Sequence, residues 1–404
     1  MYIDAITSII DQNNMLPWLH LGLHPASSTQ VHHAQHLSSY LARLIASGQA
    51  TSRSELARVT GLARSTVSQH LMPLLRMRLI SEQEATGFAR GRPPSVLSLN
   101  PQAGVILIAD IGAAHGRLGI ADFGQHFLLE RSIVTEVARG PEPVLADLQR
   151  EFASLLAQLA IPRESVRLIV IGLPAPIDFA TGAPIRPPIM PGWDHYPVPA
   201  SFKEFFAGEV LVDNDVNLMA LGEARCRSPS QCPLLYVKVS TGIGCGIITH
   251  DGLLHRGADG AAGDIGHVRM PAHEELCRCG NLGCIEAFAS FGSLVRKLGL
   301  DGGADSVQGL DAAKRAELAT LVHSASSDLG ELIAMLVHFF NPRVVALGGS
   351  MTQFGAEMLA SVRAVVYRRA LPLATRALSV ELSVLNKRAG LVGGVVLGVE
   401  HILS

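Results

Sequence analysis

Between Gly263 and Phe288 the chain reads GDIGHVRMPAHEELCRCGNLGCIEAF, which places His267 and three cysteines within eighteen residues and a glutamate two places after the last cysteine. Such a stretch could be a metal site that does chemistry, a metal site that only holds shape, or a disulfide knot. Six cysteines in 404 residues are too few for a disulfide scaffold, and three of them fall in this one stretch. A reducing compartment and a metal therefore read better than a disulfide framework. His267, Cys277, Cys279 and Cys284 have the spacing His-x9-Cys-x-Cys-x4-Cys. Three thiolates and one imidazole complete a tetrahedral set for Zn²⁺, leaving no position for an activated water, so the expected role is structural. Gly280 and Gly283 let the loop fold tightly around the ion.

A loop of this kind must be carried by a folded body, and the composition provides for one. The chain is 48% hydrophobic and 17% charged, with a net charge of −2, as in a soluble globular protein of two or more domains. The longest apolar run, close to LVGGVVLGV near the C-terminus, is too short to span a bilayer. The first residues lack the basic and apolar regions of a secretory signal. A cytoplasmic protein without a membrane partner is expected.

The charge is unevenly distributed. Residues 31–100 hold eight arginines against three glutamates, a balance of +5, while the other segments hold 25 basic and 32 acidic residues, a balance of −7. A cationic front on an anionic body points to a polyanion partner for the front alone. There, SRSELARVTGLARSTVSQHLMPLLRMRLI reads as two short helices around Gly61, the first capped by Ser52 or Ser54. Val67, Leu71, Leu74 and Leu75 form one apolar stripe on the second helix and leave Arg64, Ser65, Ser68 and Gln69 on the other face. This is the pattern of a helix-turn-helix with short polar groups where bases would be met. Pro73 predicts a kink beyond that part of the helix. In the following ISEQEATGFARGRPPSVLSLN, two strands flank a tip with Arg90 and Arg92, a wing suited to phosphates or a minor groove. Residues 1–30 receive no role, and His32, His33 and His36 read as a solvated helix start.

From Gln102 onward the pattern becomes α/β. GVILIADIG, RLGIADF, RLIVIGLPAPIDFATG, LLYVKVSTGIGCGIITHDG and PRVVALGGS are short apolar runs that end in glycine or proline turns. Such turns can bring backbone N–H groups to a phosphate or sugar, although hairpins need glycine in any case.

In order, Asp110-Ile111-Gly112, VDNDVNLMALGEA, STGIGCGI, GDIGH and CRCGNLGCIE resemble the ROK family of repressors, open reading frames and sugar kinases. With the winged helix-turn-helix in front, the chain is most similar to the transcriptional-repressor branch that regulates xylose, glucose and N-acetylglucosamine genes. The resemblance implies an N-terminal winged helix-turn-helix over residues 31–100. Residues 101–404 would then form an actin-like, ribonuclease H-like two-lobed α/β domain with mixed sheets. Its lobes would run over roughly 101–225 and 226–404, with room for the C-terminal helix to return to the first lobe. It also implies a structural zinc, a dimer or tetramer, and a sugar cleft formed by Asn214, Asp215, Asp264, His267 and Glu286. In the kinase branch the residue matching Asp215 is the general base; taken singly, an Asn-Asp pair is a turn or helix cap.

Three departures bear on function. Ala113 and Ala114 stand in the Gly-Thr places of the kinase phosphate loop, removing a hydroxyl donor. Asp264 stands where the family has glutamate, and Ile189 where asparagine is common. The expected protein is a DNA-binding transcriptional regulator, read as a non-catalytic repressor of carbohydrate genes that binds an operator and a sugar or sugar derivative. Active sugar kinase with an appended DNA-binding module is the alternative, and a third class is an adaptor whose effector is another protein.

Overall fold

The computed structural model describes residues 34–84, 95–300, 307 and 309–404. Arg90 and Arg92 lie outside the described residues.

Three helices, α1 (Ala34–Ala46), α2 (Arg53–Thr60) and α3 (Arg64–Arg76), precede an antiparallel pair, β1 (Ile80–Glu84) and β2 (Ser95–Leu99). Their core is built from Leu37, Leu41 and Leu44 of α1, Leu56 of α2, and Val67, Leu71 and Leu74 of α3. Leu75, at the margin of the expected stripe, is half-buried. Ser52 caps α2 by accepting from the Glu55 amide at 3.2 Å, and Gly61 ends it at φ 71°, the left-handed geometry that favours glycine. Pro73 is exposed within α3; the Met77 amide still donates to its carbonyl at 2.9 Å, carrying the helical ladder past the proline.

The rest forms two sheets of related plan. In the first, β3 (Val105–Ile111) lies antiparallel to β4 (His115–Asp122), which pairs with β5 (Phe127–Val134). On its other side β3 is parallel to β6 (Val166–Leu173), and β6 to β9 (Glu209–Asn214); a short hairpin, β7 (Ile177–Asp178) and β8 (Ala183–Pro184), intervenes in sequence. In the second, β10 (Leu234–Val239) is antiparallel to β11 (Ile243–Ile248) and parallel to β12 (Val344–Gly348), which is parallel to β13 (Ser379–Leu382). A hairpin joined to parallel strands thus occurs twice.

Alternation along β3 sorts its side chains. Leu107, Ala109 and Ile111 pack under α4 (Pro141–Gln158), whereas Ile106, Ile108 and Asp110 turn toward the last helix. Two helices occupy the region between the sheets: α5 (Asp215–Arg225), which leaves β9 directly, and the C-terminal helix Ala389–Ile402. Their backbones touch. A Cβ on Gly393 would lie 1.7 Å from the Leu218 carbonyl oxygen, and one on Gly222 would lie 2.2 Å from that of Ala389. The second lobe has its own core around the 29-residue helix Ala312–Phe340. No helix among the described residues is long and apolar enough to cross a membrane.

Candidate functional site

Strand polarity assembles the cleft residues. Asp110 lies near the C-terminal end of β3, Asp213 and Asn214 end β9, Lys238 is the penultimate residue of β10, and Gly348 ends β12. In open α/β sheets ligands are received outside these carboxyl ends.

Asn214 is committed to its helix. Its side-chain oxygen accepts from the Val216 amide at 2.8 Å as the cap of α5, and its Nδ2 donates to the Ala175 carbonyl at 2.8 Å. The capping role is therefore realised, and one amide N–H remains for a ligand. Asp215, in the first helical turn, is buried and ion-paired with Lys238 across the two lobes. Its neighbour Asp213 makes a second cross-lobe pair, accepting from Arg256 Nε at 3.0 Å and Nη2 at 2.6 Å. Arg256 in turn lies over the Phe179 ring at 3.9 Å. Asp110 is 7% exposed; burial first, and then repulsion by Asp215, push its carboxyl up to about 7 against the pull of Lys238 and Arg117.

The zinc-type stretch forms a compact loop. His267 ends the turn Ile265–His267, and Cys284 immediately precedes the short helix Ile285–Ala289. The donor atoms of His267, Cys277, Cys279 and Cys284 all lie within 4.8 Å of one another. His267 Nδ1 is 3.7 Å from Cys277 Sγ, and the Sγ atoms of Cys279 and Cys284 are 3.7 Å apart. A tetrahedron with metal–sulfur distances of about 2.3 Å has edges near ~3.8 Å, so these four groups fit Zn²⁺. All six cysteines are free thiols. Gly280 and Gly283 adopt φ 92° and 74°, and a Cβ on Gly283 would lie 2.5 Å from the His273 carbonyl oxygen. The tight loop thus requires glycine there.

Glu286, in the first turn after Cys284, reaches back to the second sheet, where its Oε2 accepts from the Ile243 amide at 2.9 Å. A Cβ on Gly242 would come within 2.6 Å of that oxygen, so the glycine-rich β10–β11 turn is what admits the carboxylate. With Nδ1 of His267 turned toward the thiols, Nε2 is the imidazole atom left to face a ligand. Asp264 lies exposed on the same turn, within electrostatic reach of His267 and Glu286. Glu286 and the His267 turn thus adjoin, a Cβ on Gly266 lying 3.2 Å from Glu286 Oε2, while Asn214 is largely spent on the fold.

In the N-terminal module, Arg64, Ser65 and Gln69 are exposed and Ser68 half-buried on the α3 face opposite its leucines. The first turn of α3 contains no acidic residue and no side-chain cap, leaving its amide ends free for phosphate. Arg53 is withdrawn from the positive balance by a bidentate pair with Glu82 at 2.9 and 2.8 Å, which fastens α2 to β1.

Lys238, Asp213 and Arg256 were missed by the motif-based reading. Lys238 had a visible signal, since it is the single charge in the otherwise apolar and aromatic run LLYVKV. Arg256 had none, because only folding brings it to Asp213.

Fold and site together define a two-lobed sugar-kinase-like domain behind a helix-turn-helix module. Residues 107–400 match the ROK family, and the chain belongs to that family. Residues 41–82 match the bacterial regulatory protein, arsR family. The chain is 28% identical over 371 residues to a putative xylose repressor of Caldicellulosiruptor sp. (strain Rt8B.4), covering 87% of this chain and 92% of that protein. It is 28% identical over 303 residues to a glucokinase of Thermotoga maritima, covering 70% of this chain and 94% of that one. Among solved structures, a ROK family transcriptional regulator described as a homologue of the Escherichia coli Mlc protein superposes with a TM-score of 0.72 at 22% identity, covering 91% of this chain and 99% of that one.

Proposed function

We propose that this protein is a sequence-specific DNA-binding transcriptional regulator, acting as a repressor of carbohydrate-metabolism genes and controlled by a sugar or sugar derivative bound in the ROK domain. The observation that carries this reading is the polar, acid-free face of α3, which presents Arg64, Ser65, Ser68 and Gln69 while its leucines are buried. Arg90 and Arg92 are assigned to the accompanying wing from the sequence alone. The effector would be held by Asn214, Asp215, Asp264, His267 and Glu286. His267, Cys277, Cys279 and Cys284 would bind a structural Zn²⁺ that fixes the segment carrying Glu286. A homodimer or tetramer would set two α3 helices in successive major grooves of a roughly palindromic operator. Ligand binding would act by favouring one placement of the two modules over another.

Fluorescence anisotropy with promoter fragments of the source genome, with and without a panel of sugars, tests this reading. Operator-specific binding that responds to a sugar is expected, and no binding to any fragment in dilute buffer would overturn it. Within that assay, Arg64→Ala is expected to weaken all sequences alike and lower the salt slope by about 1, whereas Gln69→Ala is expected to change which operators are preferred. Identical behaviour of the two variants would contradict the groove assignment.

Elemental analysis is expected to find zinc equimolar with the wild-type chain and absent from Cys279→Ser, with a lower melting temperature in the variant. Tightly held metal in Cys279→Ser would refute the ligand set. The kinase alternative retains Asp215 and is opposed by Ala113 and Ala114. Turnover near 1 s⁻¹ with ATP and any sugar, the low end for kinases, would reinstate it.

A further inference from the structure

Two aspartates adjoin Gly172 of β6: Asp110 is its register partner on β3, and a Cβ on Gly172 would lie 3.4 Å from Asp215 Cα. Asp110 is more than nine-tenths buried, and its carboxylate forms no hydrogen bond among the described residues. It points at the start of the C-terminal helix, where a Cβ on Gly390 would lie 2.2 Å from Oδ2. Asp215, on α5, is 2% exposed. Between them in charge stands Lys238, whose side chain is 14% exposed and whose ammonium is bonded to Asp215 and attracted by Asp110 and Glu286. Lys238 reaches this position from β10 between two glycines, since its register partners are Gly244 on β11 and Gly348 on β12. Both neighbouring strands thus lack a side chain where the lysine stem passes. Arg117 on β4 is the remaining cation that reaches Asp110, and its pull is the weakest of those acting on that carboxyl. Arg256 is occupied by Asp213.

We propose that Lys238 is a tethered cation that takes the place of a divalent metal between Asp110 and Asp215. Two buried carboxylates carried by the first sheet need a positive charge, which Lys238 brings from the second, and hard divalent cations are the usual solution for oxygen ligands. Here the chain supplies the charge itself, covalently and at a fixed position. An ammonium has no open coordination position, so it cannot bridge the phosphate oxygens of a nucleotide as a metal ion does in phosphoryl transfer. It can donate to a ligand hydroxyl while Asp215 accepts from it. The cleft therefore binds its polyol without a metal and does not assemble a metal–nucleotide complex. This role goes beyond the sensing reading and does not depend on which sugar is sensed.

Mn²⁺ alone is the probe, followed by electron paramagnetic resonance on the full-length, zinc-loaded protein at pH 8. Wild type is expected to bind no Mn²⁺ that Asp110→Asn removes. Lys238→Ala is expected to gain one site with a dissociation constant on the order of 10⁻³ M, and Lys238→Ala combined with Asp110→Asn to lose it. A Mn²⁺ site in wild type that disappears in Asp110→Asn would overturn the proposal, as would a folded Lys238→Ala that gains none. Should Lys238→Ala fail to fold, Lys238→Ser is measured beside the wild-type and Asp110→Asn pair, which decides the matter alone if a shared site is found. Failure here leaves operator binding and its sugar response untouched, so the two readings fall separately.

Discussion

Gly393→Ala is expected to abolish the folded effector domain. A methyl group there would have to occupy space 1.7 Å from the Leu218 carbonyl oxygen and 3.0 Å from the Gly222 nitrogen, both backbone atoms of a buried helix. No side-chain rotation relieves such a contact. Either α5 and the C-terminal helix separate, uncovering the leucines and valines between the two sheets, or the chain does not reach this state. The cost exceeds the roughly 1–3 kcal/mol of ordinary overpacking and reaches the rare class above about 4–5 kcal/mol. Gly398→Ala is the control, because its Cβ would meet only the ends of the Ile106 and Leu168 side chains, at 3.2–3.3 Å. Circular dichroism and chemical denaturation are expected to show a cooperative transition for Gly398→Ala and none for Gly393→Ala. Equal stability of the two variants would refute the backbone contact.

The same helix shows where sequence reading stops. LVGGVVLGV is visible as an apolar run too short for a membrane, but it has no helical period because residues 389–399 are buried on every side. Its glycines look like turn signals and are instead the contact surface for α5, β3 and β6. Strands with an apolar run and a closing turn, such as β3, β6, β10 and β12, were legible. The outer strand β5, FLLERSIV, is interrupted at its centre by Glu130, Arg131 and Ser132 and offered no unbroken run. β9 was hidden by its continuation into α5 without a loop, so VDNDVNLMALGEA reads as a motif before it reads as a strand end.

The site divides in the same manner. The zinc-type set was legible because its four donors lie within eighteen residues and its geometry is local. The α3 stripe was legible because a 3.6-residue period is local too. The cross-lobe pairs were not, since Lys238 and Asp215 are 23 residues apart, and Asp213 and Arg256 are 43 apart, on different lobes. A charged residue inside a buried strand announces that a partner exists and does not say which. Asn214 shows the opposite limit. The resemblance places it at the ligand, while in the structure its oxygen caps α5 and its Nδ2 donates to the Ala175 carbonyl.

Removing the Asp110 charge is expected to stabilise the protein above neutral pH and to flatten its stability profile below it. An unfolded aspartate titrates near ~3.9, whereas burial and the adjacent Asp215 hold the folded Asp110 carboxyl near about 7. Between those values the native state keeps a proton that the unfolded state has released. Stability must therefore fall as pH rises through this window, and the loss is complete above the folded value. Asp110→Asn keeps the shape and removes the titration. Its melting temperature is expected to vary less than wild type between pH 4 and pH 7 and to exceed it at pH 8, by a free energy of about 2–4 kcal/mol. Calorimetry across that range decides the sign. Parallel profiles would mean that Asp110 titrates as an ordinary carboxylate. A variant less stable than wild type at pH 8 would mean that Lys238 needs the charge of Asp110 as well as that of Asp215. The ammonium would then be shared by both carboxylates, and not lent mainly to one.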